Sequence, residues 1–314
     1  MIICMDDTRR DEPMLAWMAP FLQRAGTKQV YLFHVHDSET DPHTTKVVCS
    51  SDTLWDVPVT PSADITERTR DRMHGLAERY LSPVVGLGWQ TVLSSEAEVP
   101  AILSRAAAWD VDLIVIGRHY GDSQFKSTQA VTARRIAEKS TCSVLVLPES
   151  AVSNISSVIV PVRYSECSAI ALKTAVNVAT AFTTRTAALN VYRVSLSGGD
   201  RLNSERLQEL KFRAEEENRL LLQSIENTEC VVISQCVAFE GNDPVSVILS
   251  AMERANCDLV VIGARGRTGA AGILLGAVTE ALIQRSPVPV LAVKKKGECI
   301  DLLHALLSLL KKHP

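Results

Sequence analysis

The chain has 314 residues, 46% of them hydrophobic and 22% charged, an ordinary globular composition with length for two cores at about 150 residues per domain. Thirty-six acidic against 33 basic residues leave a net charge of −3, too little positive field to hold a nucleic-acid backbone by counterion release. No apolar run approaches the roughly 18 residues of a membrane span, and Asp6 and Asp7 interrupt the N-terminus before a signal-peptide core can form; a cytoplasmic protein is expected.

In the first half, aliphatic runs at 2–5, 29–36, 89–93, 112–116 and 143–147 read as strands separated by amphipathic helical stretches. Residues 37–63 are a polar insertion rich in Asp, Thr, Ser and Pro, longer than a usual connection and read as a surface loop or lid. His34 and His36 alternate on the second strand, a spacing better suited to core or strand-end histidines than to a zinc pair. Eight cysteines form no CxxC pair, and Cys4, Cys142 and Cys257 lie in or beside apolar runs, so reduced structural thiols are expected. Pro148, Glu149, Ser150, Ser153 and Asn154 mark a boundary near 148–156.

Beyond it come a strand at 158–162, a helix at 169–181, a strand at 187–194 and a charged helix at 204–224 with Ser204 as its N-cap. The mixed charges from Glu205 to Glu217 read as a solvated face. A strand at 231–239, a helix at 244–255, a strand at 258–262, a helix through 279–284 and a last strand at 288–293 follow. Residues 298–314 put Leu303, Leu306, Leu307 and Leu310 on one helical face, an amphipathic segment for docking on the protein's own surface or a partner chain.

The two series are one series written twice. Trp109–Gly117 reads like Asn256–Gly263, and at the same ungapped offset Ser143–Leu147 falls on Pro289–Val293; the start Ile2–Asp7 resembles Val158–Tyr164. Continuous hydrophobicity in the fourth and fifth strands of each half says that both sheet faces are covered. The expected fold is α/β: two repeated, open, mostly parallel five-stranded sheets flanked by helices, Rossmann-like, at 1–150 and 156–296, followed by the helix at 298–314.

In such sheets ligands bind beyond the carboxyl ends of the strands, at the switch in strand order. The fourth strand of the second half leads into Gly263, Arg265, Gly266, Arg267 and Gly276, then Ala277, Val278 and Thr279. Glycines let backbone N–H groups approach an anion, a helix starting after Gly276 would aim its positive end at it, and the two arginines could add charge-assisted bonds.

With Gly263, Gly266 and Gly276 in register, this run resembles the ATP-binding signature of the universal stress protein family, G-x2-G-x9-G followed by Ser or Thr, and the resemblance extends over nearly the whole chain. It implies a tandem of two family domains, ATP or another adenine nucleotide with magnesium as a candidate companion, and pairing of the two halves along their last strands, 143–147 and 288–293. By position it also implies backbone contacts to adenine at Val191 and its neighbours. Two family positions differ: the hydroxyl residue after the last glycine is Ala277, with Thr279 the nearest hydroxyl, and the acidic residue after the first strand is Arg163, which could stack on adenine or pair with phosphate. The first half keeps Asp6 and Gly117 but has Tyr120 and Ala130 at the later glycine positions, so the nucleotide site is expected in the second half.

The expectation is therefore a stress-response or regulatory protein that binds an adenine nucleotide, at most a slow ATPase. The alternative is a nucleotide-independent scaffold that oligomerises through sheet edges and the C-terminal helix. An ATP-using enzyme would need acidic metal ligands, for which Asp243 and Glu280 are the candidates. A homo-oligomer or internal pseudo-dimer is expected, with no nucleic acid, no metal site and no stable membrane insertion.

Overall fold

The computed structural model describes residues 1–36, 63–118, 128–193, 204–223, 231–239, 243–264 and 275–295. The first half runs β1 (Ile2–Met5), α1 (Asp11–Ala25), β2 (Gln29–Val35), α2 (Ala63–Tyr80), β3 (Gly88–Ser94), α3 (Glu98–Ala108), β4 (Leu113–Arg118), α4 (Thr128–Lys139) and β5 (Ser143–Pro148). The second runs β6 (Ser157–Val162), α5 (Glu166–Phe182), β7 (Arg185–Arg193), α6 (Ser204–Gln223), β8 (Val232–Phe239), α7 (Pro244–Arg254), β9 (Leu259–Gly263), α8 (Ala277–Arg285) and β10 (Val290–Val293). The α/β class and the chain order of elements agree with the sequence reading. The insertion at 37–63, apart from Ala63, the residues Tyr120, Arg265, Gly266 and Arg267, and the tail at 298–314 lie outside the described residues.

Each half has the strand order 3-2-1-4-5, but the expected pair of five-stranded sheets is one ten-stranded sheet, β3-β2-β1-β4-β5-β10-β9-β6-β7-β8. Every neighbouring pair is parallel except the central one, where β5 and β10 run antiparallel with Leu145 opposite Leu291. Two edge strands that are apolar on both faces remove their exposed ladder by pairing with each other. The resemblance implied this seam; periodicity within either half could not.

Alternation along the strands sorts side chains onto two cores. Ile3 and Met5 join a core built with α1, α2, α5 and α6, whereas Ile2 and Cys4 face one built with α3, α4, α7 and α8. Both cores continue across the central seam: Leu145 and Leu291 share the first, and Val144, Val146, Val290 and Ala292 the second. β4 and β9 are buried almost throughout, as their unbroken aliphatic runs require, while β3 and β8 at the sheet ends are partly exposed.

The duplication reaches the backbone. Positive φ angles occur at Asp7 and Tyr164, at Asp110 and Asn256, and at Gly26 and Thr183, each pair at matching places in the two halves. Gly26 and Thr183 are the left-handed C-caps of α1 and α5. Asp7 and Tyr164 each turn a side chain onto the second helix of their half: the Asp7 carboxylate accepts from Thr69 and Arg72 of α2, and the Tyr164 hydroxyl donates to the Ala214 carbonyl of α6.

The buried cysteines Cys4, Cys142 and Cys257 are free thiols, with burial pushing Cys142 up to about 11 and Cys257 up to about 12. His34 donates through Nδ1 to the Met5 carbonyl and meets His36 edge to face. Among the described residues no group of three or more His, Cys, Asp or Glu side chains is placed to hold a metal ion.

Candidate functional site

The switch in strand order falls between β6 and β9, and the pair separates there. Their ladder joins Val158 with Leu259 and Ile159 with Val260 and then stops, although β6 runs on to Val162 and β9 to Gly263. The carboxyl ends splay and leave a crevice, as β1 and β4 do in the first half.

Gly263 stands at the head of the crevice because nothing larger fits: a Cβ there would lie 2.8 Å from the Cys167 carbonyl oxygen and 2.9 Å from the Cys167 Cβ. Across from it Ser165 caps α5 by accepting the Ser168 N–H, and the Ser168 hydroxyl in turn accepts the N–H of Arg163. The Arg163 side chain is exposed at the end of β6. Val191 lies one residue beyond the last partner that β7 shares with β6, Asn190, while still pairing with Val237 of β8.

Gly276 is the N-cap of α8, with extended backbone and no side-chain cap. Its N–H donates to the Ala264 carbonyl and its carbonyl accepts from Glu280, so the chain returns to the head of β9 just before the helix starts. The N–H groups of Ala277, Val278 and Thr279 form the first turn, which has no intrahelical acceptors and carries the positive end of the helix dipole. Ala277 is exposed there. Thr279 is not: it is buried, and its hydroxyl donates to the Gly263 carbonyl at 2.9 Å. The hydroxyl nearest to the glycine run in sequence thus fastens α8 to β9.

The two carboxylates that metal-assisted phosphoryl transfer would require are engaged elsewhere. Asp243 caps α7, accepting from the Val245 and Ser246 N–H groups and from the Ser246 hydroxyl, and pairs with Arg285; the Ser246 hydroxyl first, and then Arg285, hold its carboxyl down at about 2. Glu280 pairs with Arg134 of the first half at 3.1 Å.

The equivalent crevice of the first half opens on a cavity of about 50 Å³ whose lining includes Asp6, Asp11, Met14, Trp17, Gly117 and Glu149. Asp11 was not singled out by the sequence reading. It takes the place of Ser168: its Oδ1 accepts the Asp6 N–H at 3.1 Å, as the Ser168 hydroxyl accepts the Arg163 N–H at 3.1 Å. The signal was present, since extending the match of the first strands through the first helices sets Asp11 against Ser168.

A tandem of doubly wound α/β units joined edge to edge, with a glycine turn and a helix N-terminus at the second switch point, defines the class of protein. The family model described as "Universal stress protein family" matches residues 1–148 and again 154–294, and the chain belongs to that family, with two tandem domains. It is similar to universal stress protein MJ0531 of Methanocaldococcus jannaschii, 33% identical over 144 residues, which cover 44% of this chain and 81% of the relative. Solved structures share the fold over its length. A universal stress protein from Archaeoglobus fulgidus superposes with a TM-score of 0.57 at 18% identity, covering 93% of this chain and 97% of its own. A functionally unknown protein from Pseudomonas aeruginosa gives 0.63 at 15%, covering 99% and 97%.

Proposed function

We propose that the second half binds an adenine nucleotide, ATP foremost, and that the protein is a cytoplasmic regulatory module whose surface responds to that occupancy. The observation that carries this reading is the start of α8. Three N–H groups without helical acceptors, those of Ala277, Val278 and Thr279, follow Gly276, next to a strand end so tightly packed that only Gly263 fits, in the crevice where an α/β sheet takes its ligand. Arg163 at the same end supplies a cation or a stacking plane for the base, and the backbone at Val191 lies past the reach of β6. Arg265, Gly266 and Arg267 belong to this proposal on sequence grounds alone. Magnesium fits as an ion carried by the phosphates, because Asp243 and Glu280 are committed to a helix cap and an interdomain ion pair. The same commitments favour a binding module over an efficient enzyme.

The test is calorimetric titration of the whole chain with ATP and magnesium, beside Ala277→Asp. An aspartate at this exposed first helical position favours the helix by about 0.3–1 kcal/mol through the dipole while placing a carboxylate where phosphate would sit. The expected result is ATP binding to the wild type and a loss of at least about tenfold in the variant without a fall in Tm, roughly 1.4 kcal/mol of affinity. Ala277→Ser, which adds a hydroxyl at the same point, is expected to tighten binding. No binding at millimolar ATP would remove this reading in favour of a scaffold working through its sheet edges.

A further inference from the structure

The sheet closes one pair of edges at the β5–β10 seam and ends in two others, β3 and β8, at matching places in the two halves. They are not alike. In β3 only Gln90 is exposed, whereas Val231, Ile233, Ser234, Gln235 and Ala238 are exposed along β8 and just before it. Val231 is 70% and Ile233 39% exposed, and with Leu207, Phe212 and Leu220 of α6 they make five of the eight exposed large hydrophobic side chains among the described residues. The sheet thus ends in an apolar border on the side of the second half.

Edge strands are ordinarily guarded by lysine, proline or a bulge. From Val231 to Phe239 there is no charged residue and no proline, and β8 pairs with β7 without a break from Val232 to Phe239. The Thr186 N–H donates to the Val231 carbonyl, so the ladder takes the odd-numbered residues and turns the backbone N–H and C=O groups of Val232, Ser234, Cys236 and Ala238 to the edge. Both faces leave room for a neighbour. On one, Asn218 of α6 donates to the Ala188 carbonyl of β7 and to the Ser234 hydroxyl of β8, so the helix straddles the last two strands. On the other, α7 packs against β7, and Ile233 and Gln235 beside it are exposed.

We propose that β8 is the contact surface for a second copy of this chain, the two β8 strands pairing antiparallel about a twofold axis so that one sheet runs through both molecules. The seam between β5 and β10 already joins two units of this fold by antiparallel pairing of apolar edge strands, and β8 continues the same sheet. The strand is also complementary to itself. With Gln235 opposite its own copy, Ser234 falls in a hydrogen-bonded pair with Cys236 of the partner subunit and Val232 with Ala238 of the partner subunit. On the face left open by α7, the exposed Val231 and Ile233 meet Phe239 and Val237 of the partner subunit. A twofold contact sets every charge near its own kind, and this strand has none to repel. Strands lie about 4.8 Å apart, so two α6 helices, each set over the β7–β8 interval, stand about 10 Å apart across the axis, the spacing of packed helices. No residue of the second-half crevice takes part.

The experiment is sedimentation equilibrium of the full chain, followed by oxidative cross-linking. At about 0.1 mM, above the dissociation constants of all but the weakest transient pairs, a mass twice that of the chain is expected. Gln235→Lys changes an exposed side chain and sets two ammonium groups opposite each other at the axis; it should weaken association by about tenfold or more with unchanged circular dichroism. Gln235→Cys puts two thiols on a pair about 4.5 Å apart at Cα, inside the disulfide range of about 4.4–6.8 Å, and should cross-link the folded chain into a dimer that dithiothreitol reverses. Val85→Cys, 83% exposed in wild type but beside β3 at the opposite end of the sheet, should not. A single-chain mass at about 0.1 mM overturns the proposal and leaves the edge to a strand from another protein. It is equally overturned by a dimer that Gln235→Lys leaves intact, including one lost on removing residues 298–314, or by cross-linking no greater in Gln235→Cys than in Val85→Cys.

Discussion

Gly263 and Asp11 occupy their positions for opposite reasons, one because nothing larger fits and the other where a neutral group suffices. Gly263→Ala drives a methyl group into the Cys167 backbone and should cost about 1–3 kcal/mol as overpacking, measured as a lower urea midpoint with unchanged slope. Asp11 gives a pH signature. Burial, and then the neighbouring Asp6, hold its folded carboxyl up at about 7, well above the ordinary aspartate range, so between that range and about 7 the folded state holds the more protons and stability falls as pH rises through that window. Asp11→Ser should flatten this fall in denaturation midpoints taken from about pH 4 to about pH 8; an unaltered pH profile would rule out Asp11 as its source. The glycine register made Gly263 legible in the sequence. The destination of Thr279 was not, because a hydroxyl two residues into a helix can face solvent or the sheet, and spacing does not say which.

Among elements, α4 and α8 are joined by an exchange of cations. Arg118, 2% exposed at the end of β4, donates to the Ile283 and Ser286 carbonyls at the C-terminus of α8. Lys294, just past β10, donates to the Glu138 and Ser140 carbonyls at the C-terminus of α4. Each half thus satisfies orphan carbonyls, at the negative dipole end, of the other half's last helix. The buried serines at these ends behave alike, Ser140 donating to the Cys142 carbonyl and Ser286 to that of Val288. Arg118→Ala should cost about 2–4 kcal/mol, since it leaves buried carbonyls unpaired, and Lys294→Ala should cost less because the ammonium is only partly buried. Equal small effects in equilibrium denaturation would refute the assignment. Strand and helix positions were largely legible, because apolar runs are local. Helix α5 begins at Glu166, earlier than the apolar pattern from Ala169, because the cap and not the hydrophobic stripe sets its first turn. The cation exchange was illegible, since Arg118 and Lys294 are not at matching positions and follow from how the halves meet.

At the scale of the molecule, the seam between β5 and β10 makes two domains one sheet with two uninterrupted cores. Cooperative units follow buried contacts, so denaturant unfolding should be a single transition, coincident for the four tryptophans Trp17, Trp55, Trp89 and Trp109, which all lie in the first half of the sequence, and for backbone circular dichroism, which reports on both. Separate transitions would show the seam to be weaker than either half.

The link between the halves is short and secured: Trp17 donates to the Val152 carbonyl, and Asp258 accepts from the backbone and hydroxyl of Ser156 and the N–H of Ser157. Its consequence concerns inheritance. In a homodimer every substitution is made twice, so an arginine gained in one crevice is gained in the facing crevice as well. Once a peptide joins the copies, each can drift alone while its neighbour stays fixed, and one scaffold can come to hold an acidic and a basic pocket side by side in constant one-to-one ratio.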